Sequence, residues 1–163
     1  LSSVSLAASE GLLTTGGVVR LTILDSTFSP PSAELVEQVQ QAVDPQDETG
    51  EGKGFAPIGH VVLVEGVVGR EVEISASFTY QDSWGWEACR PYLEQAARDY
   101  LLSLRKTWAD SSNGLTVRIS ALESAFLSCP GILDVTGTTL CREASNLELS
   151  GDEVPVEGVL HGS

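Results

Sequence analysis

The sequence predicts an α+β fold of order β-α-β-β-α-β-α-β-β, with mostly antiparallel sheets, helices packed on one face and a division into two small lobes. Three observations carry this. Strand-like and helix-like segments alternate in irregular runs with strand pairs between helices, which argues against a regular parallel α/β repeat. Residues 71–80 alternate cleanly, with Val72, Ile74, Ala76 and Phe78 on one side and Glu71, Glu73, Ser75, Ser77 and Thr79 on the other. Residues 86–108 carry Cys89, Leu93, Ala96, Ala97, Tyr100, Leu101, Leu104 and Trp108 at helical spacing.

In chain order, residues 1–16 read as an N-terminal extension of a fragment. The chain contains no methionine and starts at Leu1, as a processed or partial chain would. The start, LSSVSLAASEG, lacks the basic region of a signal peptide. Residues 17–68 are expected to form a small α+β lobe and 69–163 a larger one, with the break inside 66–71. The first strand, 18–24, is β-branched and apolar on both faces, so it should be central. Pro30 and Pro31 suit a helix start. Leu35, Val36, Val39 and Val43 then recur at helical spacing until Asp44-Pro45, because the residue before proline avoids the α region.

Residues 58–68 form a Val-rich strand, and 66–70 a hairpin or crossover to 71–80. Pro91 belongs near the first turn of the long helix, which places its start at 87–90. Arg105-Lys106 at its end should complement the helix dipole. A short strand follows at 115–119. Ser120-Ala-Leu-Glu123 has the form of a capping box, opening a helix with Leu122, Ala125, Phe126 and Leu127 facing inward. Strands at 132–140 and 147–160 close the chain, with Pro155 marking the last as an edge.

The chain has 163 residues and a net charge of -14, from 23 acids and 9 bases. That balance argues against nucleic acid or anionic lipid as a partner, since phosphate contacts need clustered Lys and Arg. No apolar run approaches the ~20 residues of a membrane span. Cys89, Cys129 and Cys141 are odd in number and lack C-x-x-C spacing, so they read as small core residues in a reducing compartment.

The stretch ETGEGKGFAPIGH (48–60) invites a phosphate reading and fails it. A Walker A loop would need glycine at Asp47 and Ser or Thr at Gly54. The loop also leads from a helix into a strand, the reverse of a phosphate cradle's setting. Asp44, Asp47, Glu48 and Glu51 lack the order of a calcium loop and read as a solvated acidic cluster. No serine sits in G-x-S-x-G, and no histidine lies near Cys89 in sequence. No catalytic, cofactor-binding or metal-ligating residue is therefore assigned, and no enzyme is expected. Trp84 and Trp86, in QDSWGWE, are the best candidates for exposed aromatic contacts.

Three stretches, in this order, resemble the C-terminal part of baseplate J-like proteins of contractile phage tails and defective prophages. They are VEQVQQAVDP…GEGKGFAPIGHVVLV, EVEISASFTYQDSWGWE…LEQAARDYLLSLRKTW, and LTVRISALESAFLSCPGILDVTGTTL…NLELSGDEVPVEGVL. The resemblance covers about residues 17–160 and implies a structural wedge component of a virion tail baseplate, made in the bacterial host cytoplasm. Such a component contacts other baseplate wedge proteins and its own copies in a ring, and uses no cofactor. This piece alone is expected to be monomeric. The resemblance carries over architectural positions: Pro45, Gly50, Gly52, Gly54, Pro57 and Gly59 in the loop, and Pro130-Gly131 before a strand. The alternative is a carbohydrate- or receptor-binding module using Trp84 and Trp86.

Overall fold

The computed structural model describes residues 5–8, 18–111 and 113–163. The chain divides into two compact units, Leu1–Val68 and Gly69–Ser163.

The first unit holds a three-stranded sheet of order β1-β2-β3, formed by β1 (Ser5–Ala8), β2 (Val18–Leu24) and β3 (Val61–Gly66). β2 is central, as its two-sided apolar pattern requires. β1 runs antiparallel to β2 with Ser5 opposite Leu24, and β3 runs parallel to it with Val18 opposite Val61. Within 1–16, expected as an N-terminal extension, Ser5–Ala8 pairs into the sheet as β1; the other residues of that stretch lie outside the described residues. The β2–β3 pair is parallel because α1 (Ala33–Val43) intervenes as a crossover, which parallel neighbours need and a hairpin cannot supply. Ser32 caps α1 by accepting from the Leu35 N–H at 3.2 Å. Ile23, Leu24, Val64 and Val67 are buried.

The second unit is built on a sheet of order β6-β4-β8, with β4 (Val68–Tyr80) between β6 (Ile132–Leu140) and β8 (Glu153–Gly162). β3 and β4 thus belong to different sheets with only Val67 between them, so 66–70 is not a hairpin. Val72, Ile74, Ala76 and Phe78 are buried on one face of β4. Against it lie α2 (Trp86–Lys106) and α3 (Ile119–Leu127), through Cys89, Leu93, Ala97, Leu101, Leu122 and Phe126. Phe78 meets Phe126 edge-on at 5.6 Å. Burying Phe126 alone contributes roughly 2–3 kcal/mol. β8 is an edge strand, as Pro155 requires. A short pair, β5 (Thr116–Val117) with β7 (Leu147–Glu148), lies apart from this sheet.

Four local expectations are corrected. α2 starts at Trp86, so Pro91 falls in its second turn and withholds an N–H from the exposed Glu87 carbonyl. The capping box at Ser120 and Glu123 does not form, because α3 starts earlier, with Arg118 as its N-cap, and Ser120 lies inside the first turn. The Ile119 N–H donates to Asn146 Oδ1 at 3.0 Å and the Arg118 N–H to Tyr100 Oη at 2.9 Å. Leu127, expected inward, is 47% exposed. The strand expected over 147–160 is broken by a turn at 150–152, where Ser150 N–H and Oγ–H donate to Glu153 Oε1. Arg105, in the last turn of α2, is buried, donating from Nη1 to the Pro155 carbonyl at 2.8 Å and lying 3.8 Å from Glu157.

Candidate functional site

The loop between α1 and β3 is held by the helix that precedes it. Asp44, expected in a solvated acidic cluster, is only 1% exposed. Its Oδ1 accepts from the Gly50 N–H and its Oδ2 from the Val62 N–H, each at 2.9 Å. One turn earlier, Gln40 Oε1 accepts from the Val64 N–H at 2.8 Å, while Nε2 donates to the Val62 carbonyl at 2.8 Å. Two polar side chains on one helix face thus tie the loop and β3 to the end of α1. Asp47, Glu48 and Glu51 remain exposed. Sequence reasoning missed Gln40, whose only signal was a glutamine between apolar helix positions.

The loop backbone completes the attachment. The Phe55 N–H donates to Ala42 O at 3.1 Å and the Ala56 N–H to Val43 O at 2.9 Å, satisfying helix-end carbonyls that otherwise lack partners. The Gly59 N–H donates to Gly50 O at 2.9 Å. The Pro45 and Pro57 carbonyls accept from the Glu48 and His60 N–H groups. Gly50, Gly52 and Gly59 have φ of 77°, 71° and 84°, in the left-handed region that favours glycine. Gly54 is needed for a different reason: a Cβ there would lie 2.4 Å from Val43 O. The N–H groups of Gly50, Phe55, Ala56 and Gly59 are all engaged in these bonds, so these donors are not available to a phosphate. Lys53 is exposed.

The same loop displays two large apolar side chains: Phe55, not singled out by the sequence, and Ile58, expected to begin the 58–68 strand but lying in the loop ahead of β3, which starts at Val61. Phe55 is 86% exposed and Ile58 79% exposed. Their signal was present, as bulky residues inside a glycine-rich polar stretch.

In the second unit, Gly131 has φ of 80° and carries the Trp84 indole against its Cα; a Cβ would lie 2.3 Å from Trp84 Cδ2. The Gln81 N–H donates to Gly131 O, and the Pro130 carbonyl lies 3.5 Å from Cys89 Sγ. Trp84 is 37% exposed and meets Tyr92 edge-on at 6.4 Å. Trp86 is half-buried and stacks on Phe78 at 6.0 Å. One indole is therefore partly a surface ring and the other roofs the core.

Burial pushes the Cys89 thiol above its usual range, so it stays protonated and is unsuited to nucleophilic attack. Burial likewise raises Tyr80 and Cys129. Ser150, through its hydroxyl and N–H, holds the Glu153 carboxyl below the usual range. His161 and Arg142 lie 3.4 and 3.8 Å from Glu73 on an exposed face. Among the described residues, no group of three or more His, Cys, Asp or Glu side chains is placed to hold a metal ion. No described helix is long and apolar enough to cross a membrane.

Two family descriptions match consecutive parts of the chain. Residues 1–66 match the Baseplate J-like central domain and residues 72–161 the Baseplate J-like protein C-terminal domain. The chain belongs to the baseplate J-like family. Among curated relatives, it is 30% identical over 142 residues to the phage-like element PBSX protein XkdT of Bacillus subtilis (strain 168), and 31% identical over 142 residues to YqbT of the same strain. These alignments cover 87% of this chain and 38% of each relative. A chain in the cryo-EM structure of the anti-feeding prophage baseplate shares the fold, with a TM-score of 0.58 at 13% identity over 96% of this chain and 33% of that one. This baseplate J-like chain thus spans well under half the length of the proteins it resembles.

Proposed function

We propose that this chain is part of a structural component of a contractile phage or prophage tail baseplate, working through protein–protein contact and without catalysis. The observation that carries the reading is the match of consecutive baseplate J-like central and C-terminal domains to nearly the whole chain. Its partners in this reading are other baseplate wedge proteins and its own copies in a ring. It is made in the host cytoplasm and resides in the virion tail baseplate. Residues 17–68 and 69–163 serve as two modules of that component. Pro45, Gly50, Gly52, Gly54, Pro57 and Gly59 shape the first module's loop. Pro130 and Gly131 seat Trp84, which serves as a contact residue; Trp86 supports it from the core side. A glycan-binding role is less favoured, because Trp86 is engaged with Phe78 and one face of Trp84 rests on Gly131.

The test is to delete the complete gene in its host, induce tail production and image the particles. Deletion should give tails lacking baseplates, and a tagged wild-type copy should label the baseplate end. Complete, labelled-elsewhere particles would sink the proposal.

A further inference from the structure

The loop at 50–60 combines three properties that a mere connector does not need. It is held in one shape by the Asp44 and Gln40 side chains and by backbone bonds from Phe55, Ala56 and Gly59. It nevertheless turns the Phe55 and Ile58 side chains almost wholly into solvent. It also carries the exposed acid Glu51 and the cation Lys53, and the turn just before it carries exposed Asp47 and Glu48. A bulky aromatic fixed at the tip of a pre-shaped loop loses little conformational freedom on binding, which is what an interface anchor requires.

Charge decides what it meets. The chain carries -14 overall, and α1, which leads into the loop, adds exposed Glu34 and Glu37. A second copy is a poor match on any face, because it carries the same -14, with 9 bases against 23 acids. A basic surface would gain from the same acids, both in encounter rate and in register.

We infer that Phe55 and Ile58 insert into an apolar pocket with a Lys/Arg-rich rim on a different protein of the assembly, and that Glu48 and Glu51 engage that rim. The inference rests on the baseplate reading and names the partner chemistry for one surface of it.

The test uses the complete protein in assembled particles. A photocrosslinking residue, p-benzoylphenylalanine, replaces Ile58, and the crosslinked peptides are identified by mass spectrometry. In parallel, Phe55→Asp with Ile58→Asp, and Glu48→Gln with Glu51→Gln, are scored for incorporation into purified particles. Circular dichroism checks that each variant folds, as expected for exposed positions. The expected results are a crosslink to a Lys/Arg-rich segment of another protein and at least a tenfold loss of incorporation for the double aspartate variant. The double glutamine variant should show a smaller loss that shrinks as salt approaches about 1 M. Normal incorporation of the double aspartate variant, or the absence of any crosslink, overturns the inference while leaving the baseplate reading intact. A crosslink to another copy of this chain overturns the heterologous partner. Absence of the wild-type protein from particles overturns the baseplate reading and the inference together.

Discussion

In the first unit, the buried groups that join helix to sheet are polar: Gln40 and Asp44 reach the backbone of the loop and β3. In the second unit the same task falls to Leu93, Leu101, Leu122 and Phe126, buried between the helices and the β6-β4-β8 sheet. Apolar packing is roughly proportional to area and tolerates changes that conserve volume. A buried carboxylate serving two N–H groups depends on geometry, and its loss leaves donors without acceptors. The first unit thereby fixes a loop in space, whereas the second builds a core around which its surface rings are arranged.

The largest expected effects test this contrast directly. Phe126→Ala should cost about 3–5 kcal/mol through cavity formation. Asp44→Ala strands the Gly50 and Val62 N–H groups, at about 1–3 kcal/mol for each. All three tryptophans lie in the second unit, so tryptophan fluorescence during urea unfolding reports Phe126→Ala. Amide exchange at Gly50 and Val62 reports Asp44→Ala. Conservative changes sharpen the difference. Phe126→Leu should recover most of the loss, whereas Asp44→Asn should not, because its amide NH₂ would face a backbone N–H. Equal recovery by both would remove the distinction.

Much of the fold was legible because its signals are local. The alternation over 71–80, the stripe from Cys89 to Leu101 and the stop at Asp44-Pro45 all emerged as read. What escaped depends on partners far away in the chain. Asp44 finds Val62, Gln40 finds Val64, and Arg105 finds Pro155, none of which a periodicity can announce. The capping box failed because the helix begins before Ser120, at Ile119, whose N–H finds the distant Asn146 as its acceptor. The parallel β2–β3 pair was equally hidden, because strand direction follows from the crossover and not from the strand's own residues. At the candidate site, the loop's glycines could be read from composition. The outward placement of Phe55 and Ile58 could not, because it follows from bonds that engage the loop's backbone donors.

Glycine substitutions give a smaller effect and ask how rigid each unit's turn is. Gly54→Ala places a Cβ against the Val43 carbonyl, a backbone atom that cannot rotate away, and should cost about 1–3 kcal/mol. Gly59→Ala meets nothing within 4 Å and bears only the strain of its positive φ, about 1 kcal/mol. Gly131→Ala bears the strain of its positive φ and also displaces the Trp84 indole from its Cγ outward, so its signature should include a shift in tryptophan emission. Amide exchange over residues 42–56 measures the first two. Equal effects from Gly54→Ala and Gly59→Ala would mean that close approach to α1 is not what fixes the loop.

The smallest effect separates the units by pH. The first unit contains neither cysteine nor tyrosine, whereas burial raises both Cys89 and Tyr80 in the second. A group whose folded-state pKa lies above its unfolded value contributes fully below the unfolded pKa. That contribution is lost as pH rises, because the unfolded chain ionises first and is thereby favoured. For a thiol this begins above about pH 8.5. The urea midpoint read by tryptophan fluorescence should therefore fall between pH 8 and 10, and Cys89→Ala should reduce the fall. The midpoint of the first unit, read by pulse proteolysis and peptide mass spectrometry, should stay level over the same range. A level fluorescence midpoint would show that the Cys89 thiol ionises as readily in the folded protein as in the unfolded chain, and that the second unit's core is wetter than its packing around Phe126 and Leu93 implies.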